Sequence, residues 1–157
     1  MRLGSRASFF DPAILCLQAV DSDTQAPVAQ SRFESSGKGT RAPRVLVVDD
    51  ERLVADTLSE ILNCFHYDAT AFYNGEAAIE AARERCPDFV LSDVVMPRLN
   101  GVETVLKIRE LCPHTRVLLL SGNAATADLL RQAHSQGHDF ELLAKPVHPD
   151  EILKRLR

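Results

Sequence analysis

The chain has 157 residues, of which 45% are hydrophobic and 25% are charged, a composition close to that of an average soluble globular domain. Its formal net charge is −4, and residues 44–157 are themselves acidic, with 13 Lys and Arg against 18 Asp and Glu. That balance excludes the basic face that nucleic-acid binding requires and the Lys/Arg cluster typical of binding to anionic membranes.

Residues 1–43 are predicted to form a disordered extension in front of the folded domain, which we expect to span residues 44–157. They contain Ser, Gln, Gly and Pro without sustained periodicity. Their one apolar patch, residues 9–20, is interrupted by Asp11 and Pro12, which a secretory signal peptide would not usually tolerate. No stretch of the chain reaches the ~20 apolar residues of a membrane span. The expected location is therefore cytoplasmic.

From residue 44 onward, short apolar runs alternate with amphipathic helical segments. Asp50 is predicted to cap the first helix, in which Leu53 belongs to the apolar repeat, and Gly137 is predicted to end the fourth helix. Five such units predict an α/β fold, a doubly wound five-stranded parallel sheet of flavodoxin-like order 2-1-3-4-5 with helices on both faces. The predicted strands are residues 45–48, 68–72, 89–91, 117–120 and 140–143.

The four cysteines are Cys16, Cys64, Cys86 and Cys112. No pair has CxxC spacing, which argues against a zinc site or a thioredoxin-like motif. In a cytosolic chain that is long enough to form a core, we expect them to be reduced and to behave as small apolar residues. Two of them lie in similar connectors, Glu-Arg-Cys-Pro at residues 84–87 and Glu-Leu-Cys-Pro at residues 110–113.

Polar residues follow the predicted strands at their carboxyl ends. Asp49 and Asp50 follow the first strand, Asp93 the third, Ser121 the fourth and Lys145 the fifth. Strands one and three are neighbours in the expected order, so the three aspartates should converge at the edge where such sheets bind ligands. Two carboxylates ~4 Å apart repel by about 4 kcal/mol at an effective dielectric near 20, which a hard divalent cation such as Mg²⁺ would offset.

A carboxylate, a metal ion, a lysine and a hydroxyl together indicate phosphoryl transfer. Asp93 is the expected nucleophile, because Asp49 and Asp50 would be occupied with the metal. Lys145 would neutralise charge on the transferring oxygens, and the Ser121 hydroxyl would donate a hydrogen bond to one of them. Each residue alone is as readily explained by a helix cap, a turn or a solvated surface, so the prediction depends on the joint pattern.

These motifs resemble the receiver domain of two-component response regulators, in particular the single-domain, chemotaxis-regulator-like receivers. The resemblance covers roughly residues 44–157. Its motifs are residues 45–51 (VLVVDDE) and 91–97 (LSDVVMP), together with Asn100-Gly101, Ser121-Gly122 and Lys145-Pro146.

The resemblance implies a role for each matching position. Asp93 would accept a phosphoryl group from a histidine kinase or a phosphotransfer protein. The metal would be held by Asp50, Asp93 and the backbone carbonyl of Val95, with Asp49 assisting through water. Ser121 would be the switch hydroxyl, and Lys145 would contact the phosphoryl group. The Lys145-Pro146 bond is often cis in the family.

The resemblance also implies what kind of protein this is. We expect a signalling module rather than an enzyme with a separate substrate, since it catalyses its own phosphoryl transfer and dephosphorylation. It would receive its phosphoryl group by phosphorelay and signal through protein–protein contacts with a downstream target, without direct contact to nucleic acid or membrane. One position departs from the family, because the aromatic residue often found three before the lysine is Leu142 here, with Phe140 two residues earlier.

Three other readings remain open. A phosphatase of the haloacid-dehalogenase type needs Asp-x-Asp after the first strand, and here Glu51 takes the second position. A flavin-binding electron carrier needs Ser, Thr and Gly donors there, and the acidic residues present would repel its phosphate. A degenerate receiver that serves only as a scaffold is disfavoured by the complete set of acidic, serine and lysine residues.

Overall fold

Short runs of apolar and β-branched residues form the strands, as their composition predicts. The computed structural model describes residues 41–122 and 126–157, so most of the predicted N-terminal extension lies outside the described residues. Within them, β1 is Arg44–Val48, β2 Asp68–Phe72, β3 Phe89–Asp93, β4 Arg116–Ser121 and β5 Glu141–Ala144. The helices are α1 Arg52–Cys64, α2 Gly75–Glu84, α3 Gly101–Leu111, α4 Thr126–Ser135 and α5 Pro149–Leu156.

All four strand pairs are parallel, and the order across the sheet is β2-β1-β3-β4-β5, which confirms the predicted topology. Alternate residues of β1 face opposite sides of the sheet. Leu46 and Val48 join a cluster with α2, α3 and α4, whereas Val45 and Val47 join a cluster with α1 and α5. Helices therefore cover both faces of the sheet and leave the strand ends uncovered.

Helix ends follow local capping chemistry. The Asn74 side chain accepts a hydrogen bond from the Ala77 amide at the start of α2, and Asn100 forms a capping box with Glu103 at the start of α3. Gly137, with φ of +82°, follows the end of α4, as predicted. Among the described residues, no helix has both the length and the apolar character needed to cross a bilayer.

Two details of α1 differ from the prediction. The N-cap is Glu51 rather than Asp50, because the helix begins one residue later, and no side chain caps it. Leu53 does not belong to the buried stripe. Its residue is 79% exposed, while Val54 and Leu58 pack toward the sheet. The later start leaves Asp50 outside the helix, on the loop that follows β1.

The prediction of reduced cysteines was wrong for Cys86 and Cys112, which form a disulfide with a Cα–Cα distance of 5.6 Å. Cys64 is disulfide-bonded as well. The two similar connectors precede β3 and β4, and these strands are neighbours in the sheet. Strand pairing therefore brings together two cysteines that are 26 residues apart in sequence.

Candidate functional site

The acidic residues meet at the carboxyl edge of the sheet because β1 and β3 are adjacent and in register. Val48 pairs with Ser92, so Asp49 and Asp93 are the next residues on neighbouring strands. One carboxylate oxygen from each of Asp49, Asp50 and Asp93 lies within 4.8 Å of the others. Asp49 and Asp93 are buried and Asp50 is exposed, so the cluster is open to solvent on one side.

Lys145 completes the cluster from the end of β5. Its Nζ donates a hydrogen bond to Asp49 Oδ2 at 2.7 Å and lies 3.3 Å from Asp93 Oδ2. The peptide bond from Lys145 to Pro146 is cis. Sequence reasoning placed Lys145 at this edge and related it to a phosphoryl group. It did not foresee the short ion pair with Asp49, which requires the side-chain geometry.

Two groups in the cluster, Asp93 and Lys145, have pKa values shifted by their surroundings. Burial raises the pKa of Asp93, and the Asp49 charge adds to this effect, while Lys145 opposes it. Burial alone would lower the pKa of Lys145. The hydrogen bond to Asp49 and the charges of Asp49 and Asp93 outweigh burial, so the pKa of Lys145 is raised. Lys145 therefore stays protonated between two buried carboxylates.

The loop after β3 is held tightly behind Asp93. A Cβ atom on Gly101 would lie 1.9 Å from the backbone carbonyl oxygen of Asp93, so only glycine allows α3 to approach this closely. The Gly101 amide donates to the Val94 carbonyl at 2.9 Å, and the Val95 amide lies 3.4 Å from Asp93 Oδ1. The sequence marked Asn100-Gly101 as a motif without revealing this contact.

Ser121 lies at the same edge, at the end of β4. Asp93 pairs with Leu120, so Ser121 extends one residue beyond the partner of Asp93 on the neighbouring strand. Its backbone carbonyl accepts a hydrogen bond from the Lys145 amide at 2.6 Å. The structure thus brings together the predicted residues Asp49, Asp50, Asp93, Ser121 and Lys145, with Val95 in the adjoining loop.

The donor set suits a hard cation. Three carboxylates face the single ammonium group of Lys145, which leaves the cluster with excess negative charge. Oxygen ligands from few carboxylates, with an open side for water, match the preference of Mg²⁺. The residues present therefore fit the binding of a divalent cation.

Comparisons with known proteins agree with this arrangement. The family model described as response regulator receiver domain matches residues 45–157. The chain is 36% identical over 113 residues to the probable transcriptional regulatory protein TcrX of Mycobacterium tuberculosis, covering 72% of this chain and 47% of the relative. It is 29% identical over 114 residues to the chemotaxis protein CheY of Thermotoga maritima, covering 72% of this chain and 93% of that protein.

Among solved structures, the Vibrio cholerae chemotaxis protein CheY4 is similar with a TM-score of 0.65 and 27% identity, covering 73% of this chain and 96% of that chain. The chain spans about half the length of the curated transcriptional regulators that it matches, such as TcrX. The similarity to these proteins is therefore a similarity to their receiver portion.

Proposed function

The chain belongs to the response regulator receiver family, which acts in two-component phosphorelay signalling, and from that premise we propose that Asp93 is the residue that accepts the phosphoryl group. One observation carries this assignment. Asp93 lies at the centre of the polar edge, within 4.8 Å of the other carboxylates and 3.3 Å from Lys145, with 12% of its side chain exposed. An incoming phosphorus atom can thus approach it.

The neighbouring carboxylates are less suited to attack phosphorus. Asp49 is only 1% exposed, and its two oxygens accept hydrogen bonds from Lys145 Nζ at 2.7 Å and from the Glu51 amide at 2.9 Å. Asp50 is exposed on the loop that follows β1. Asp93 combines partial burial with access, which favours it as the nucleophile.

We assign the cation site to Mg²⁺, held by Asp50, Asp93 and the Val95 carbonyl, with Asp49 acting through water. When bound, Mg²⁺ neutralises charge on the phosphoryl oxygens and orients them. Lys145 supplies a second positive charge from the end of β5, and the Ser121 hydroxyl donates a hydrogen bond to a phosphoryl oxygen. These groups serve one covalent event on the chain itself, so the protein acts as a signalling module and catalyses its own phosphorylation and dephosphorylation.

The phosphoryl donor is a histidine kinase or a phosphotransfer protein, in our proposal. A cavity of about 440 Å³ lies beside Lys145, between α1 and the segment after β5, and Val54, Leu58 and Val147 give it an apolar lining. This surface adjoins the acidic cluster, so a donor protein bound there would bring its phosphohistidine to Asp93. The proposed location is the cytoplasm, where such donors present their phosphohistidines.

The downstream partner is a protein, bound at the surface of α4, β5 and α5. Leu142 on the edge strand β5 is 39% exposed, which gives this surface an apolar contact point. The acidic balance of residues 44–157 favours a protein partner over direct contact with nucleic acid or an anionic membrane. These proposals concern the receiver domain itself.

The test is chemical phosphorylation. Incubation with acetyl phosphate and Mg²⁺ should add one phosphoryl group by intact mass, and hydroxylamine should remove it. Asp93→Asn should abolish the adduct, while the control Asp128→Asn, an exposed position on α4, should be labelled like the wild type. Equal labelling of Asp93→Asn would move the phosphoryl acceptor to another residue.

A further inference from the structure

A second chemically distinctive site lies at the amino ends of β3 and β4, whereas the acidic cluster lies at the carboxyl ends of the strands. The Cys86–Cys112 disulfide joins the connector before β3 to the connector before β4. β3 runs from Phe89 to Asp93, so about 13 Å of strand separates this bond from the carboxyl edge. Neither cysteine takes part in the proposed phosphorylation, and the pair therefore needs an explanation of its own.

The two cysteine residues differ in exposure. Cys86 is an exposed residue, whereas Cys112 is 3% exposed and belongs to the core cluster formed with α2 and α3. Both line a cavity of about 520 Å³ that opens at this edge. A small thiol in that cavity meets the exposed Cys86, whereas the buried Cys112 presents little surface to it. The incoming thiol should therefore attack the sulfur of Cys86.

The cavity is also suited to thiol chemistry. Arg41, His114 and Arg116 line it, with Asp88 as the acidic group among its lining residues. Arg41 is paired with Asp88 at 3.3 Å, whereas the Arg116 guanidinium lies over the Phe89 ring and donates to the Arg155 carbonyl at 2.8 Å, without an acidic partner among these contacts. Cationic surroundings favour the thiolate form of a cysteine, and the thiolate is the reactive species in exchange.

We propose that Cys86 and Cys112 form a redox-active dithiol–disulfide pair that exchanges with low-molecular-weight thiols through Cys86. A thiolate attacks the Cys86 sulfur, the bond between the two cysteines breaks, and Cys112 leaves as a thiolate that takes up a proton. A second thiol then attacks the mixed disulfide on Cys86. The net reaction converts one protein disulfide and two thiols into two protein thiols and one small disulfide, a two-electron exchange that runs in reverse with an oxidised small disulfide.

A cytoplasmic location would favour a redox role for this pair. Cytosolic disulfides are rare, and those that occur are usually transient and catalytic or redox-sensing. This step rests on the cytoplasmic location proposed above. The exchange chemistry itself does not depend on phosphorylation of Asp93, so it can be tested whether or not that assignment holds.

The first measurement is peptide mapping of the full chain after alkylation of free thiols. A tryptic digest without reductant should contain peptide 86–98 linked to peptide 110–116, which separates this pair from the peptides that carry Cys16 and Cys64. Reduced glutathione in excess should release the linked pair from the folded protein, and oxidised glutathione should restore it. A bond that yields only after addition of denaturant would overturn the proposal, as would free thiols at both positions.

The second measurement tests the direction of attack. With oxidised glutathione, Cys112→Ala should acquire a glutathionyl adduct on Cys86 at least about tenfold faster than Cys86→Ala acquires one on Cys112, because the buried Cys112 is less accessible until the structure opens locally. Circular dichroism of both variants confirms the fold, and wild-type exchange remains the reference if either variant fails to fold. Equal rates at the two positions would refute entry at Cys86.

Discussion

Asp93 combines a buried position with a proposed role, attack on phosphorus, that requires the carboxylate to be charged. Its pKa is raised by burial and by Asp49, so the folded state binds this proton more tightly than the unfolded chain does. This contribution to stability is fully present below the unfolded pKa near 3.8, and it is lost as pH rises through the raised folded pKa. At neutral pH, the metal-free protein therefore holds this carboxylate at a cost.

Because the charged Asp93 carboxylate lowers stability at neutral pH, removing the charge should raise the melting temperature. At pH 7 without metal, Asp93→Asn should melt a few degrees above the wild type, and at pH 4 the gap should be smaller because the wild-type carboxyl takes up its proton as the pH falls. Saturating Mg²⁺ should raise the wild-type melting temperature and leave the variant unchanged, because binding stabilises only the state that holds the ligand. Thermal melts at both pH values test this, and a wild type that melts above Asp93→Asn at pH 7 without metal would contradict it.

Lys145 is the counter-charge for Asp49. In metal-free protein, Lys145→Met should lower the free energy of unfolding by about 2 kcal/mol, since it leaves the buried Asp49 carboxylate without its ion pair; the part-exposed lysine keeps the cost below that of a fully buried pair. Urea unfolding measures this loss. Lys154→Met, an exposed position on α5, is the control and should change stability little. Equal stability of Lys145→Met and wild type would mean that the ion pair contributes nothing.

At the scale of elements, the close approach of α3 to the end of β3 fixes the backbone at Asp93. Gly101→Ala should cost about 2 kcal/mol or more, because the new Cβ would meet the Asp93 carbonyl, a backbone atom that cannot move alone. Phosphorylation by acetyl phosphate, measured well below the melting temperature, should slow as well. Gly122→Ala is the matched control, since its Cβ would make only ordinary contacts of 3.7 Å with Lys145. Similar losses in the two variants would show that this contact is not specific.

The carboxyl ends of β4 and β5 are where we expect the signal to leave the site. Ser121 pairs with Ala144, whereas Phe140 precedes β5 and lies under the Arg109 guanidinium at the far end of α3. Phe140 is thus poorly placed to act as a ring that turns inward when Ser121 moves. The output should depend on the shift of the β4 end and α4 rather than on an aromatic side chain.

Backbone NMR with and without beryllofluoride, a phosphoryl mimic, tests this expectation. Large shifts should cluster at Ser121, Gly122 and α4 and at residues 142–145, and Leu142→Ala should preserve most of them. Shifts restricted to the residues that contact the cation would instead indicate a scaffold that transmits no conformational change.

At the scale of the whole molecule, strand order and the polar edge could be predicted because both follow from linear patterns. Apolar runs mark the strands, and the carboxyl ends of all strands in a parallel sheet lie at the same edge. The proximity of Asp49, Asp93 and Lys145 could therefore be predicted. The cap of α1 was misassigned because a one-residue shift of the helix start does not alter the apolar repeat. The Cys86–Cys112 bond was missed because it depends on the lateral distance between two connectors, which spacing along the chain does not encode.

The central claim is that Asp93 accepts the phosphoryl group, and trapping the acyl phosphate tests it most directly. Borohydride reduces an aspartyl phosphate to homoserine, and tryptic peptide 86–98 holds two aspartates, Asp88 and Asp93. After treatment with acetyl phosphate and Mg²⁺, tandem mass spectrometry should find homoserine at position 93 and unmodified Asp88. Homoserine at another aspartate, with position 93 intact, would contradict the account.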